Sequence, residues 1–573
     1  MQLTTQFAVN LLAWLTAMVT MGAWMLTGFI NPRRGEGRME LSGREPLVRV
    51  GRWSSLAGTA LAAAAALTSS QPTAWWVATV ASALAFALSF LHRWETAIYT
   101  LALTAMAVVA PVAALEELVP RNQDLITDAA MVASVAFTVV GGCWLLLGNA
   151  RPEALTTSRL RFVSTVGALV VAVCDLCTIW GQWSGGWELD VTWHLVRLAC
   201  AVALAALAWL PGRGPRIPGA LLALVGQVAA VAALHTVPAA AGEQVPTDVA
   251  AFGYSVAEWP TLVNMVGNVR VNLFFLCLAI VAIAVYAHFV RVLHRRGDHW
   301  PVGRTVAWVV SWLLLVFLTS SGLGRYAPSV FSVHMFVNLG INMLCAMVLA
   351  LGGFITLLLR ATPARGRSNA AGLREWVVAT MHSRYLGFLY NPIIALVFMT
   401  GTYYVYYLTG LFTASLELHW LHQFFYLHFL ISGYIFYGLI IGVDQPPHPL
   451  PHIGKLGLII GAMPFHAFFG VILMSKTVVY AEDFLASLGH EWLFRRGLQH
   501  DQWVGAAIAW GGGEFPLFIA LIALLTQWQR QDTTEARRTD RHLDSGTDQS
   551  YDAYNEMMAR LAAADRAAER SRD

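Results

Sequence analysis

Hydrophobic positions divide the chain into long apolar runs separated by short polar connections. About fifteen runs are ~17–25 residues long, the length that carries an α-helix across a bilayer. They extend from Phe7–Ile30 to Trp503–Trp528. Unbroken segments of this length exclude a barrel, whose strands would alternate apolar and polar positions over about ten residues. The expected fold is all-α, a polytopic helical membrane protein. Composition agrees: 57% hydrophobic against 12% charged residues leaves too little polar surface for a soluble globule. The first run lacks a basic leading segment and a small-residue cleavage site, so it reads as a retained helix and not a signal peptide.

Charge placement orients the spans. Arg33, Arg34, Arg38, Arg44, Arg49 and Arg52 follow the first run, and arginine excess marks the cytoplasmic side. Every second connection is again arginine-bearing, with Arg93, then Arg151, Arg159 and Arg161, then Arg213 and Arg216. Arg291, Arg295, Arg296 and Arg304 follow, then Arg360, Arg365, Arg367, Arg374 and Arg384. The alternate connections are mostly acidic or neutral, as at Glu116, Glu117, Asp124, Glu243 and Asp248. Fifteen spans then put the N-terminus outside and the C-terminus in the cytoplasm, with the plasma membrane as the location. The alanine-rich second span near Leu56–Thr68 and the outer connection with Arg495 and Arg496 fit this alternation least.

Residues 1–238 form a candidate first module of about eight spans, rich in alanine and poor in internal polar groups. Residues 239–270 read as an external loop, and 271–528 as a second module of about seven spans that holds most of the membrane histidines. Residues 529–573 form a polar cytoplasmic tail in which Tyr551–Arg570 can make one amphipathic helix. All six cysteines lie in apolar segments, so no disulfide framework is expected. There is no nucleotide loop and no nucleophile with a base, and nothing points to nucleic acid; the chain reads as a non-enzyme.

The candidate chemistry lies in the second module. His334, His428 and His466 sit inside apolar helices, and a strongly polar side chain at membrane depth usually marks a pathway, a ligand or a partner. His334, Asn338, Asn342 and Cys345 recur at intervals of four, four and three, which makes one polar stripe. At ~1.5 Å per residue, His334 lies ~6–8 Å below the outer surface and His466 ~14 Å from the outer end of its helix. His428 is about two turns into its helix, behind His419 and His422 at the mouth. Met335 adjoins His334, and Met463 shares a face with His466. Imidazole with thioether favours a soft transition metal, copper above all. Glu514 in the last span would relay protons, balance a bound cation or pair with Arg325. In the first module Cys174 and Cys177, three apart, share a helix face and are good Cu(I) ligands as a pair. His194 and His235 stand near the outer ends of the next two spans, and Asp175 would bind a cation or a neighbour. Each of these residues also has a plainer reading as a hydrogen-bond partner or packing group between helices.

Several motifs in order resemble the CtaG-type cytochrome c oxidase assembly factors. They are Gly324-Arg325-Tyr326-Ala327-Pro328, Ser332-Val333-His334-Met335, His428-Phe429-Leu430, Gly433-Tyr434 and Gly442-Val443-Asp444. Met463 to Gly470, Asp501-Gln502, Gly513-Glu514-Phe515-Pro516, Glu535-Ala536-Arg537-Arg538 and Tyr554-Asn555 follow. The likeness covers about half the chain, from near Asn272 to the tail. It implies a metallochaperone-like role in respiratory-chain biogenesis, supplying copper to the oxidase catalytic subunit. In high-GC Gram-positive bacteria this domain is often fused behind a CopD-like copper-transport module, and the layout here is similar. Only Lys455 and Lys476 among 37 basic residues are lysine, which fits a high-GC, actinobacterial genome. One position departs from the family pattern: Asn338 stands where a second histidine is typical, and asparagine is a poor Cu(I) ligand.

The sequence therefore leads to a membrane protein that accepts copper, as Cu(I), from the outer side, with an extracytoplasmic copper-binding protein as a candidate donor. It then inserts that copper into the oxidase or transports it. The candidate ligands are His334, Met335, His428, Met463 and His466, with Glu514 balancing charge and Cys174 and Cys177 as a second pair. Two other readings remain open at this point. Histidines on neighbouring helices could ligate haem as an axial pair in a redox protein, or the chain could scaffold the oxidase without metal.

Overall fold

The computed structural model describes residues 2–30, 33–34, 39–40, 45–69, 72–91, 94–116, 121–147, 154–185, 191–210, 216–236, 245–364, 371–492, 497–544 and 550–570. Arg38, Arg44, Arg93, Arg151, Arg213, Arg365, Arg367, Arg495, Arg496, Glu117 and Glu243, used above to orient the spans, lie outside them.

The chain is all-α, as the apolar runs predict. The first half contains α1 (Gln2–Met25), α2 (Glu45–Thr68), α3 (Pro72–Leu88), α4 (Glu95–Glu116), α5 (Gln123–Leu147), α6 (Ala154–Ser184), α7 (Val191–Trp209) and α8 (Arg216–Thr236). A ribbon only two residues wide pairs Arg33 with Glu40 and Arg34 with Met39. Two short helices, α9 (Thr247–Phe252) and α10 (Leu262–Gly267), lead to the second half. There follow α11 (Leu273–Arg295), α12 (Val302–Ser320), α13 (Gly322–Tyr326), α14 (Phe331–Leu339), α15 (Ala346–Leu351) and α16 (Phe354–Ala361). Then come α17 (Leu373–Met381), α18 (Arg384–Leu389), α19 (Pro392–Leu396), α20 (Thr402–Leu408), α21 (Leu411–Glu417), α22 (His419–Ile441) and α23 (His452–Met474). The chain closes with α24 (Glu482–Ser487), α25 (Leu498–Asp544) and the tail helix α26 (Ser550–Arg570).

Among the described residues, twelve helices are long and apolar enough to cross a membrane. The count is thirteen if Pro392–Leu408 and Leu411–Glu417, bent by 75°, form one span. The sequence reading expects about fifteen. The two remaining segments are helical as well. Glu45, Arg49 and Arg52 dilute the apolar character of α2, and the apolar stretch of α8, Pro218–Ala230, is short.

The two halves pack differently because their side chains differ in size. In the second half one continuous core joins Phe275, Tyr326, Val337, Tyr407, Phe429, Phe436 and Leu517. The first half has smaller clusters, one around Met18, Trp144 and Leu224 and another built largely of alanines, among them Ala62, Ala65, Ala78 and Ala81. Lipid supplies no hydrophobic drive between helices, so close approach at small residues holds such helices together. The α1–α5 crossing is the extreme case: a Cβ on Gly22 would lie 2.1 Å from the Gly142 carbonyl oxygen.

Polar clasps join the halves where α5, α11 and α22 begin. Arg270 Nε donates to Asp124 at 2.8 Å, and its Nη2 donates to Asn122 at 2.9 Å. Asp128 accepts from the Phe274 amide at 3.1 Å and faces His419 Nε2 at 2.9 Å. Nearby, Asp248 accepts from the Val249 and Val256 amides at 2.8 and 2.9 Å and from the Ser255 hydroxyl at 2.8 Å. His490 Nε2 lies 3.1 Å from the same carboxylate.

Gly142→Leu is expected to destabilise the detergent-solubilised protein by at least ~1–3 kcal/mol through overpacking, seen as a lower thermal midpoint. A second expectation concerns acid. Burial pushes the Asp248 carboxyl up, but the Val256 and Ser255 donors, the Val249 amide and His490 outweigh it and hold it below its ordinary value. A depressed folded value means its stabilisation is full above the unfolded carboxylate pKa of about 4 and fades as pH falls through the folded value. Asp248→Asn should flatten that acid limb in thermal melts taken across pH 3 to 6, roughly the window around the carboxylate pKa.

Candidate metal site

The helix that carries His334 is held in place from outside its own segment. At the start of α14, Val330 offers no capping side chain. Asp501, in the first turn of α25, accepts instead from the Ser332 amide at 3.3 Å and its hydroxyl at 2.5 Å. Gln502 accepts from the Tyr480 amide at 2.8 Å and donates to the Val478 carbonyl at 3.0 Å. Together Asp501 and Gln502 brace α14 and the connection between α23 and α24 against α25. Asp444 does similar work elsewhere, accepting from the Thr356 amide and hydroxyl at 2.7 and 2.6 Å at the start of α16. These motif positions are thus structural anchors.

The polar stripe splits at a π-helical turn, Gly340–Cys345, since the extra residue in such a turn shifts the helix face. His334 and Asn338 remain together: the Asn338 amide nitrogen is 2.9 Å from His334 Nε2 and 2.6 Å from the Tyr407 hydroxyl. Asn342 turns to α22, donating to the Phe429 carbonyl at 2.7 Å and the Ser432 hydroxyl at 3.1 Å. Gly433 permits that crossing, because a Cβ there would come within 1.9 Å of the Asn342 carbonyl oxygen. Cys345 is fully buried, and its carbonyl accepts from Ser311 at 2.7 Å.

His334 is completely buried in an aromatic enclosure. Ring centroids of Phe412, His422, Tyr407, Tyr406 and Tyr426 stand 5.0, 5.3, 5.9, 6.1 and 6.5 Å from its own. His334 Nδ1 and His422 Nε2 are both buried without a hydrogen-bond partner. The sequence reading puts His422 at the mouth of its helix and leaves it out of the ligand set. The signal was present: His419, His422, Gln423 and Tyr426 share one face at helical spacing.

The other predicted ligands fall elsewhere. Met335 is fully buried, but one residue along a helix turns it about 100° from His334. His466, 1% exposed, faces Tyr403 at 5.5 Å and abuts Gly513, with its Nε2 unpartnered. The nearly parallel rings of Tyr403 and Tyr407, 6.4 Å apart, lie between the neighbourhoods of His466 and His334. His428 is half-buried, 2.9 Å from the Thr402 hydroxyl and packed on Phe398. Met463 packs at the edge of the core, and Glu514 Oε1 is buried without a partner. Arg325 is engaged with the Ser255 carbonyl at 2.6 Å. Among the described residues no three of His, Cys, Asp and Glu are placed to hold one metal ion together. The structure therefore does not gather His334, His428, His466 and Glu514 at a single point.

In the first half, Cys174 is buried against Ala129, Ala133 and Leu273, with Cys177 partly buried beside it. Asp175 pairs with Arg197 at 2.9 Å, and His194 Nε2 lies 3.1 Å from Gln182. The side chain of His235 lies outside the described residues.

A small cavity of about 50 Å³ opens at the clasped junction of the halves. Asp124 and Asp128 from α5, Arg270 and Arg325, and His419, His422, Gln423 and Tyr426 contribute to its wall. Gln423 Oε1, the Tyr426 hydroxyl and Arg325 Nε are buried without partners there. His422 lines this cavity and also touches the His334 enclosure.

Residues 284–531 match the family model of the cytochrome c oxidase caa3 assembly factor. An uncharacterised protein of Mycobacterium bovis is 34% identical over 505 residues, 85% of this chain and 76% of its own length. The chain belongs to the caa3 assembly factor family. An uncharacterised protein of Mycobacterium tuberculosis shows the same identity and coverage. One from Mycobacterium leprae is 42% identical over 312 residues, 54% of this chain and 47% of its own length. No solved structure matches the chain. The family match covers the half that holds His334, His422 and the brace, while the longer mycobacterial similarity also reaches into the first half.

Asp501→Ala should cost about 1–3 kcal/mol by removing the carboxylate that accepts from the buried Ser332 amide and hydroxyl. Asp501→Asn should lose less, because its carbonyl oxygen can still accept; comparison of the two melting midpoints checks this.

Proposed function

We propose that this assembly factor supplies copper to the catalytic subunit of cytochrome c oxidase from the outer side of the plasma membrane. Family membership supports the oxidase as partner. The observation that carries copper as cargo is the pair of buried imidazoles with unpartnered ring nitrogens, His334 and His422, within the aromatic core of the family-matched half. An unpaired polar group in an apolar interior is costly, and neutral imidazole is a good copper ligand. In this reading an extracytoplasmic copper-binding protein delivers the ion, and the first half acts as a CopD-like transport module that brings further copper. Cys174 and Cys177 are its candidate thiols.

The haem reading draws no specific observation from the small polar cavity that His422 lines. The scaffold reading keeps one specific observation in its favour, namely that no three classical ligands converge among the described residues.

Deleting the chain should yield an oxidase that assembles its subunits but is deficient in copper, with activity partly restored by added copper. Metal analysis of the purified oxidase and its visible spectrum check this. An oxidase with full copper in the deletion strain would overturn copper supply, and loss of the subunit itself would favour the scaffold.

A further inference from the structure

We propose that His334 and His422 form a two-coordinate site for a monovalent soft cation, Cu(I), loaded through the cavity at the junction of the halves. The proposal rests on the copper reading and deepens it by naming the ligands, the coordination and the route. Two observations meet at this pair. The two rings are 5.3 Å apart at an interplanar angle of 66°. Each has one buried nitrogen without a partner, Nδ1 of His334 and Nε2 of His422. With metal–nitrogen bonds of ~2.0 Å, two imidazoles on one ion have centroids about 6 Å apart when the bonds are collinear, and closer when they bend. In-line coordination asks the rings to part by ~1 Å from the observed spacing.

Two neutral donors select the ion. Zinc in proteins takes four ligands, and no third histidine, cysteine or carboxylate joins this pair among the described residues. Cu(I) accepts two ligands in a line, so the set that is too sparse for zinc is sufficient for cuprous copper. No carboxylate is needed beside the ion if the surrounding rings of Tyr406, Tyr407, Phe412 and Tyr426 stabilise its charge through their faces.

Asn338 then has a role that the expected histidine would not fill. A ligating histidine usually gives its other ring N–H to an acceptor, which fixes the tautomer. The carboxamide of Asn338, 2.9 Å from His334 Nε2, can present its oxygen by a half-turn of the amide plane. In that orientation it accepts from His334 Nε2–H and from the Tyr407 hydroxyl, and the lone pair of Nδ1 is left for copper. Asn338 is thus a positioning residue. His422 belongs to both the cavity wall and the pair, so an ion that reaches the cavity meets His422 before His334.

The test titrates the purified full chain anaerobically with Cu(I) against a chromogenic chelator, with Ag(I) as a redox-inert probe. X-ray absorption then reads the coordination shell. One Cu(I) per chain with two nitrogen neighbours and no sulfur is expected. His422→Gln and His334→Gln, checked for an unchanged melting midpoint, should each weaken binding by more than about 100-fold, beyond the loss typical of an outer-shell change. Asn338→Leu should weaken it by ~10–100-fold, and Asn338→Asp, which keeps an acceptor, should restore most of that loss. His466→Ala and His428→Ala should bind as the wild type does. Sulfur in the shell, undiminished binding in both glutamine variants, or equal loss in His466→Ala would overturn the site. Oxidase copper separates this failure from failure of the functional reading. Full copper in the deletion strain removes the reading. Copper lost on deletion but retained with His422→Gln leaves the reading standing and removes the site.

Discussion

A bilayer offers almost no hydrogen bonds, so every polar group carried into it must find its partner within the protein. That constraint organises the second half. Asp501 satisfies the start of α14, Asn342 ties its π-helical turn to α22, and Asn338 joins His334 to Tyr407. With those bonds in place, His334 Nδ1 and His422 Nε2 remain without partners, as do His466 Nε2, Gln423 Oε1 and the Tyr426 hydroxyl.

The same constraint explains why several motif residues are scaffolding. Asp501, Gln502 and Asp444 each cap backbone groups of another segment, work that a charged or amide side chain does well where water is absent. Gly433 matters through its missing side chain, because α22 lies against the carbonyl of Asn342. The brace and the crossing set the position of α14, and α14 sets His334 beside the first turn of α22.

The halves are joined by polar contacts as well as by packing. Arg270 with Asp124, and His419 with Asp128, tie the first half to the mouth of the second. The cavity between them is polar, balanced in formal charge between its aspartates and arginines, and large enough for a few waters. A first half that packs largely through alanines and glycines, yet supplies two buried carboxylates to this junction, shapes the environment of His422 without touching His334.

Sequence alone determined that this is an all-α membrane protein, because apolar runs of bilayer length leave the backbone no other way to satisfy itself. It also pointed to the histidines of the C-terminal half as candidates, and the order of motifs there carried the family resemblance. Which histidines meet was decided only by tertiary structure. Periodicity puts His334, Asn338 and Asn342 on one stripe, but a π-helical turn inside the run redirects the third, and no local pattern announces that turn. His428 and His466 look equivalent to His334 by depth, yet depth fixes position along the membrane normal and not rotation about the helix axis. His422 looked like a surface residue because it opens its helix. Packing against α14 buried the ring and set it 5.3 Å from that of His334.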